Sequence, residues 1–270
     1  MMKWLRRIAI GLVAVMLLLV IGVGGLIAYD SLFGRKAADY ANVRFPADDG
    51  TELVGYLARP EAEGVYPAVL MVHEWWGLNA EITEMADKLA EQGYVVLAPD
   101  TYRGSTTSLV PRAIFLRVSV PASRVNADMQ AAYEYLVAQT DVDAGRIGVM
   151  GFCYGGGVAL RHAVLNANIA ATVNLYGDTI EDPAAFGALL NPDAGPLLGI
   201  FGERDQQIPL SEVAAFEAAL RQTAIEHTVT IYPEMPHAFV NPEGIAAGGA
   251  PREAWEQILA FFEAHLQSTT

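Results

Sequence analysis

The chain has 270 residues and a formal net charge of −14, with 17 Lys and Arg against 31 Asp and Glu. No basic cluster lies outside the N-terminus, which argues against a nucleic-acid binder. One cysteine, Cys153, excludes an intramolecular disulfide, so cysteine usage assigns no compartment.

The N-terminus is more informative. Lys3, Arg6 and Arg7 precede residues 8–28, which carry no charge. At 1.5 Å per residue a helix of that length crosses the roughly 30 Å hydrocarbon core of a bilayer. Trp4 and Tyr29 fall at its ends, where aromatic rings prefer the interface. The run is longer than the h-region of a cleaved signal, and no A-x-A site closes it. The expected organisation is a short cytoplasmic N-terminus over 1–7, a transmembrane signal-anchor helix over 8–28, a linker over 29–42 and one large domain over 43–270. That domain lies on the non-cytoplasmic side, periplasmic or extracellular. Secretion after signal cleavage is the alternative and leaves the domain on the same side.

From residue 43 the pattern alternates between strand and helix. Val43-Arg44-Phe45-Pro46 and Leu53-Val54-Gly55-Tyr56-Leu57-Ala58 flank Asp48-Asp49-Gly50 as a hairpin. Residues 67–72 and 94–98 are apolar runs expected of strands buried on both faces. Between them Ile82, Met85, Ala86, Leu89 and Ala90 follow helical spacing. Residues 105–123 are less regular and carry Pro111 and Pro121; a surface excursion with one short helix and a lid over a pocket are both open readings. A helix over 127–137 leads to a strand over 147–150. Further strands are expected over 170–176, 197–201 and 227–232. Helices are expected over 211–221, with Ser211 as its cap, and over 254–266. The pattern predicts an α/β fold, a mostly parallel sheet of about eight strands with helices on both faces.

Ligands in such sheets bind beyond the carboxyl ends of the strands, so those ends carry the functional reading. After the strand at 147–150 comes Gly151-Phe152-Cys153-Tyr154-Gly155-Gly156-Gly157, a G-x-nucleophile-x-G elbow with cysteine at its apex. A thiol there stands at a helix N-terminus, whose dipole favours a thiolate. Beyond 201 comes Gly202-Glu203-Arg204-Asp205, and beyond 232 comes Pro236-His237-Ala238-Phe239. Cysteine, acid and histidine thus follow in the α/β-hydrolase triad order, with His237 as base and Asp205 orienting it. Glu203 and Asp178 are rival acids. The loop His73-Glu74-Trp75-Trp76-Gly77 is where this fold draws one oxyanion-hole amide. The expected donors are the backbone amides of Trp75 and Tyr154. His73 is expected to be structural, and Trp76 either walls an acyl pocket or packs under the sheet edge.

These segments, with Ala98-Pro99-Asp100-Thr101-Tyr102-Arg103, resemble the dienelactone hydrolases, cysteine-using α/β-hydrolases, over about 43–266. The resemblance implies a carboxylic ester or lactone hydrolase working through a thioester, without metal or cofactor, on a small-molecule substrate. It also implies that Glu74 stands near the resting thiol and takes part in its activation. Glu74 capping the helix beyond Gly77 is the alternative. Arg103 matches the first of the two arginines with which the family binds a substrate carboxylate. Arg103, Trp76 and Phe239 are therefore the expected substrate contacts. The second arginine position holds Asn241, which predicts weak turnover of dienelactone relative to small neutral activated esters. A non-catalytic ligand-binding member of the fold and a thiol peroxidase-type redox protein are the rival readings.

Overall fold

The computed structural model describes residues 2–267. Eight strands form one sheet in the order β1-β2-β4-β3-β5-β6-β7-β8. They are β1 (Val43–Pro46), β2 (Glu52–Ala58), β3 (Tyr66–Val72), β4 (Val95–Pro99), β5 (Val142–Phe152), β6 (Ala171–Leu175), β7 (Leu197–Gly202) and β8 (His227–Tyr232). β1 and β2 pair antiparallel through the turn at Gly50, and β2 pairs antiparallel with β4; all other pairs are parallel. Every residue of β4, β6 and β7 is buried, which is why β4 and β7 read as unbroken apolar runs rather than alternating ones, while β6 buries Thr172 and Asn174 as well.

The helices are α1 (Met2–Phe33), α2 (Ala80–Ala90), α3 (Val110–Ser119), α4 (Ala122–Val137), α5 (Tyr154–Leu165), α6 (Leu210–Leu220), α7 (Pro242–Ala247) and α8 (Ala250–Phe262). α2 turns Ile82, Met85, Ala86, Leu89 and Ala90 inward and is capped by Asn79, whose side chain accepts from the Ile82 N–H at 3.1 Å. Glu74 is thus free of the capping role. Residues 105–123 are more ordered than their composition suggests: Pro111 sits in the first turn of α3, where a missing N–H costs nothing, and Pro121 precedes α4. Ser211 lies inside α6; the cap is Pro209.

α1 runs past residue 28 to Phe33, so the expected linker begins as helix. Its apolar window is not covered by the rest of the chain, and its length and composition suit a membrane span. Beyond it Ala37 is fully buried and Lys36 bridges Ser105, so this segment is packed onto the domain.

Chain order runs leftward from β3 to β4 and rightward from β5 to β8. The loops after β3 and β5 therefore diverge and leave a crevice at the strands' carboxyl ends, the place where open α/β sheets bind ligands.

Candidate active site

Cys153 stands between β5 and α5 with φ 54° and ψ −117°. Holding a non-glycine residue there costs about 1–3 kcal/mol. The turn is secured by Cys153 N–H donating to the Leu175 carbonyl at 3.0 Å and by Gly156 N–H donating to the Cys153 carbonyl at 3.0 Å. Close approach explains two glycines. A Cβ on Gly151 would collide with the Gly155 carbonyl, and one on Gly155 with the carbonyls of Val72 and His73. Strand β5, helix α5 and the end of β3 meet only because those side chains are missing.

His237 follows β8, and its Nδ1 lies 2.6 Å from Asp205 Oδ2. Asp205 is buried after β7, with Oδ1 accepting from the N–H groups of Gln207 (2.7 Å) and Ile208 (3.0 Å). Two backbone donors and one imidazole thus fix the carboxylate. The rival acids are engaged elsewhere: Glu203 accepts from Glu234 N–H at 2.9 Å, and Asp178 pairs with Arg117 at 3.0 Å. Tyr176, left-handed at φ 40°, meets the His237 ring edge-on at 5.1 Å. His237 Nε2 is buried and has no hydrogen-bond partner among the described residues.

Cys153, Tyr154, Tyr176 and His237 share a cavity of about 40 Å³ whose wall is completed by Arg117, Asp178, Gln207 and Ile208. The thiol is not the thiolate that a helix N-terminus alone would favour. Burial, then the neighbouring Glu74 charge, push it up to about 12, and the Tyr154 amide pulls weakly the other way. Burial outweighs the hydrogen bond from the Tyr154 amide. Glu74 is itself raised to about 7, by burial and then by the charge of Glu81.

The loop carrying Glu74 is pinned by His73. Its Nδ1 donates to the Glu74 carbonyl at 2.6 Å, and its Nε2 accepts from Thr101 N–H at 3.2 Å. Burial holds His73 down to about 4, so it stays neutral. Trp75 and Trp76 meet edge-to-face at 4.9 Å. The Trp76 carbonyl accepts from Thr106 Oγ1 and Thr107 N–H, both at 2.9 Å. Tyr154 N–H is the first of α5, a position without an intrahelical acceptor.

The expected substrate contacts lie elsewhere. The Arg103 guanidinium is clasped by buried Asp128 at 2.9 and 2.7 Å and by Asp49 at 2.8 Å, and it borders a separate surface hollow. Two carboxylates already neutralise it, so it is not presented to the cavity. Phe239 is buried against Tyr176 and Tyr232, and neither it nor Trp76 lines the cavity. Asn241 caps α7, accepting from Gly244 N–H at 2.8 Å. Among the described residues no group of three or more His, Cys, Asp or Glu side chains converges as metal ligands would. Arg117, Tyr176, Gln207 and Ile208 are cavity residues that sequence reasoning missed; Arg117 is one of two arginines on a largely apolar helix and gives no local sign of what it faces.

An eight-stranded sheet of this order, with a strained elbow at its crevice and an acid and histidine after its last two strands, defines an α/β-hydrolase. The sequence model of the dienelactone hydrolase family matches residues 53–266, and the chain belongs to that family. A Methylorubrum extorquens protein named "Putative carboxymethylenebutenolidase" is 31% identical over 207 residues, covering 73% of this chain and 71% of its own. A Synechocystis protein of the same name is 27% identical over 233 residues, covering 80% and 93%. The crystal structure of a "Putative Dienelactone Hydrolase" from Klebsiella pneumoniae superposes with a TM-score of 0.71 at 29% identity, covering 83% of this chain and 97% of that one. The protein is a hydrolase of the lactone and ester type.

Proposed function

We propose that the domain hydrolyses small carboxylic esters or lactones through a Cys153–His237–Asp205 triad and a thioester intermediate. The observation that carries this reading is the unpartnered, buried Nε2 of His237 facing the same cavity as Cys153, with Nδ1 fixed on Asp205. Cys153 Sγ bonds to the acyl carbon while its proton passes to His237 Nε2. The negative charge on the carbonyl oxygen is met by the amides of Trp75 and Tyr154. Collapse breaks the acyl–oxygen bond, and His237 returns the proton to the departing oxygen. Water then gives a proton to His237 and its hydroxyl to the thioester, which releases the acid; His237 returns the proton to the sulfur.

Glu74 governs when the thiol ionises. Its negative charge opposes a thiolate, and a carboxyl titrating near 7 is about half protonated at neutral pH. Protonation of Glu74 removes that opposition. The resting enzyme is therefore a protected thiol, a state that also disfavours peroxide chemistry, since oxidation follows thiolate character.

Arg117 supplies the wall's cation, and Asp178 already neutralises it. That balance supports neutral activated esters over an anionic lactone such as dienelactone. The test is a panel of esters and lactones on the full chain, with Cys153→Ala as control. A panel in which Cys153→Ala turns over like the unaltered protein would end the proposal. A kcat/KM for dienelactone well above that for neutral esters would overturn the substrate preference alone.

We further infer that α1 is an uncleaved single-pass anchor, with residues 43–270 as a catalytic domain on the non-cytoplasmic side. Its uncovered apolar surface supports this. N-terminal sequencing of the membrane-bound protein checks it, and a mature chain starting near residue 29 would overturn it.

A further inference from the structure

α3 is a ten-residue helix with its apolar surface on the outside. Val110, Ile114, Phe115 and Val118 are 48%, 49%, 53% and 75% exposed, while Ala113 and Leu116 fill the inner side. Positions 110, 114, 115 and 118 fall on one face at helical spacing. Four large apolar side chains on so short a surface helix make a patch that soluble surfaces rarely leave open.

Its position says what covers it. Asp30, two residues beyond the uncharged run 8–28, accepts from Arg112 Nη1 of α3 at 2.6 Å and from Thr107 Oγ1 at 2.6 Å. Arg112 is buried, so this is a built junction between the end of α1 and the start of α3. The last turn of α1 continues the apolar surface, with Tyr29, Leu32 and Phe33 exposed and the rings of Tyr29 and Phe33 5.1 Å apart. Residues 101–127 carry no Asp or Glu, in a chain whose net charge is −14, and Arg103, Arg112 and Arg117 are paired with Asp128 and Asp49, Asp30 and Asp178, so the segment presents no carboxylate of its own to a bilayer.

We propose that α3 rests on the lipid surface of the membrane that α1 spans, with Val110, Ile114, Phe115 and Val118 at the boundary between headgroups and acyl chains. Amphipathic helices lie in that plane with their apolar face about 5–10 Å deep. Arg117 leaves the same helix to line the catalytic cavity, so the cavity opens beside the lipid. The proposal rests on the anchor reading of α1.

The test uses the full chain carrying Cys153→Ala, with one new cysteine at a time bearing an environment-sensitive fluorophore: Leu18→Cys, Phe115→Cys, Val118→Cys or Ala224→Cys. Each is reconstituted into vesicles of phosphatidylcholine and phosphatidylglycerol containing nitroxide-labelled lipids. The expected result is that Leu18 is quenched by deep nitroxides. Phe115 and Val118 lose most of their emission to nitroxides near the headgroups and are shielded from aqueous iodide. Ala224, exposed before β8, answers to iodide only. If Leu18 is quenched by lipid while Phe115 and Val118 behave like Ala224, the docking is overturned and the anchor stands. Shielding of Phe115 and Val118 from both quenchers would overturn it in favour of a second copy of the chain. A Leu18 label untouched by lipid nitroxides would overturn the anchor, and the docking with it.

Discussion

Asp205→Asn tests the triad at its best-defined contact. Asp205 Oδ1 holds two backbone N–H groups and Oδ2 holds His237 Nδ1 at 2.6 Å. An asparagine has one acceptor end and one donor end and must choose. Turning its NH2 toward Gln207 and Ile208 would leave the buried Ile208 amide unpaired, at about 1–3 kcal/mol, and the partly buried Gln207 amide as well. Its carbonyl therefore stays on those amides, and its NH2 faces the imidazole. His237 Nδ1 then becomes an acceptor, which moves the ring proton to Nε2, the nitrogen that must receive the thiol proton. A triad histidine locked in the wrong tautomer loses about 10⁴ in kcat, equivalent to about 5 kcal/mol of transition-state stabilisation. The assay is kcat/KM for p-nitrophenyl acetate near neutral pH, with a thermal melt to show that the variant is folded. A folded Asp205→Asn protein within tenfold of the unaltered activity would refute the reasoning.

Glu74→Gln separates charge from packing through the pH dependence of stability. The folded carboxyl titrates at about 7 against an ordinary 4.5, so the fold binds this proton more tightly than the unfolded chain. Its contribution is thus most favourable below 4.5 and declines as pH rises through about 7. The side chain is partly exposed, and solvent reduces the penalty of the ionised form to about 1–2 kcal/mol. Urea unfolding should find Glu74→Gln more stable than the unaltered protein at mildly alkaline pH and equal to it at acidic pH; a constant difference across pH contradicts the assignment. Arg103→Ala should unfold more easily by about 3 kcal/mol, because Asp128 would stay buried without its cation. Its KM for a neutral ester should move less than threefold. A large KM change in a stable Arg103→Ala protein would return that arginine to the substrate.

What could be read in the sequence was what local rules write there. An elbow needs glycines two residues either side of its apex, and a triad in this sheet needs its acid and base directly after particular strands. Gly151, Cys153, Gly155, Asp205 and His237 satisfy those rules within short stretches. The eight-strand α/β architecture followed likewise from apolar runs and their order. Sequence reasoning stopped where partners come from distant segments. Arg103 matched a family position, yet its fate is set by Asp128, 25 residues away, and by Asp49, 54 residues away. Arg117 meets Asp178 across 61 residues, and no periodicity within α3 announces it. The surroundings of the thiol are a related case. A helix N-terminus is visible in sequence, whereas the desolvation of Cys153 and the charge of Glu74 arise only when the ends of β3 and β5 come together. The same meeting of strands that gives the nucleophile its cavity also keeps it protonated at rest. On the proposed mechanism, the chemistry turns on how substrate entry changes the surroundings of Glu74 and Cys153, and less on any intrinsic acidity of the thiol.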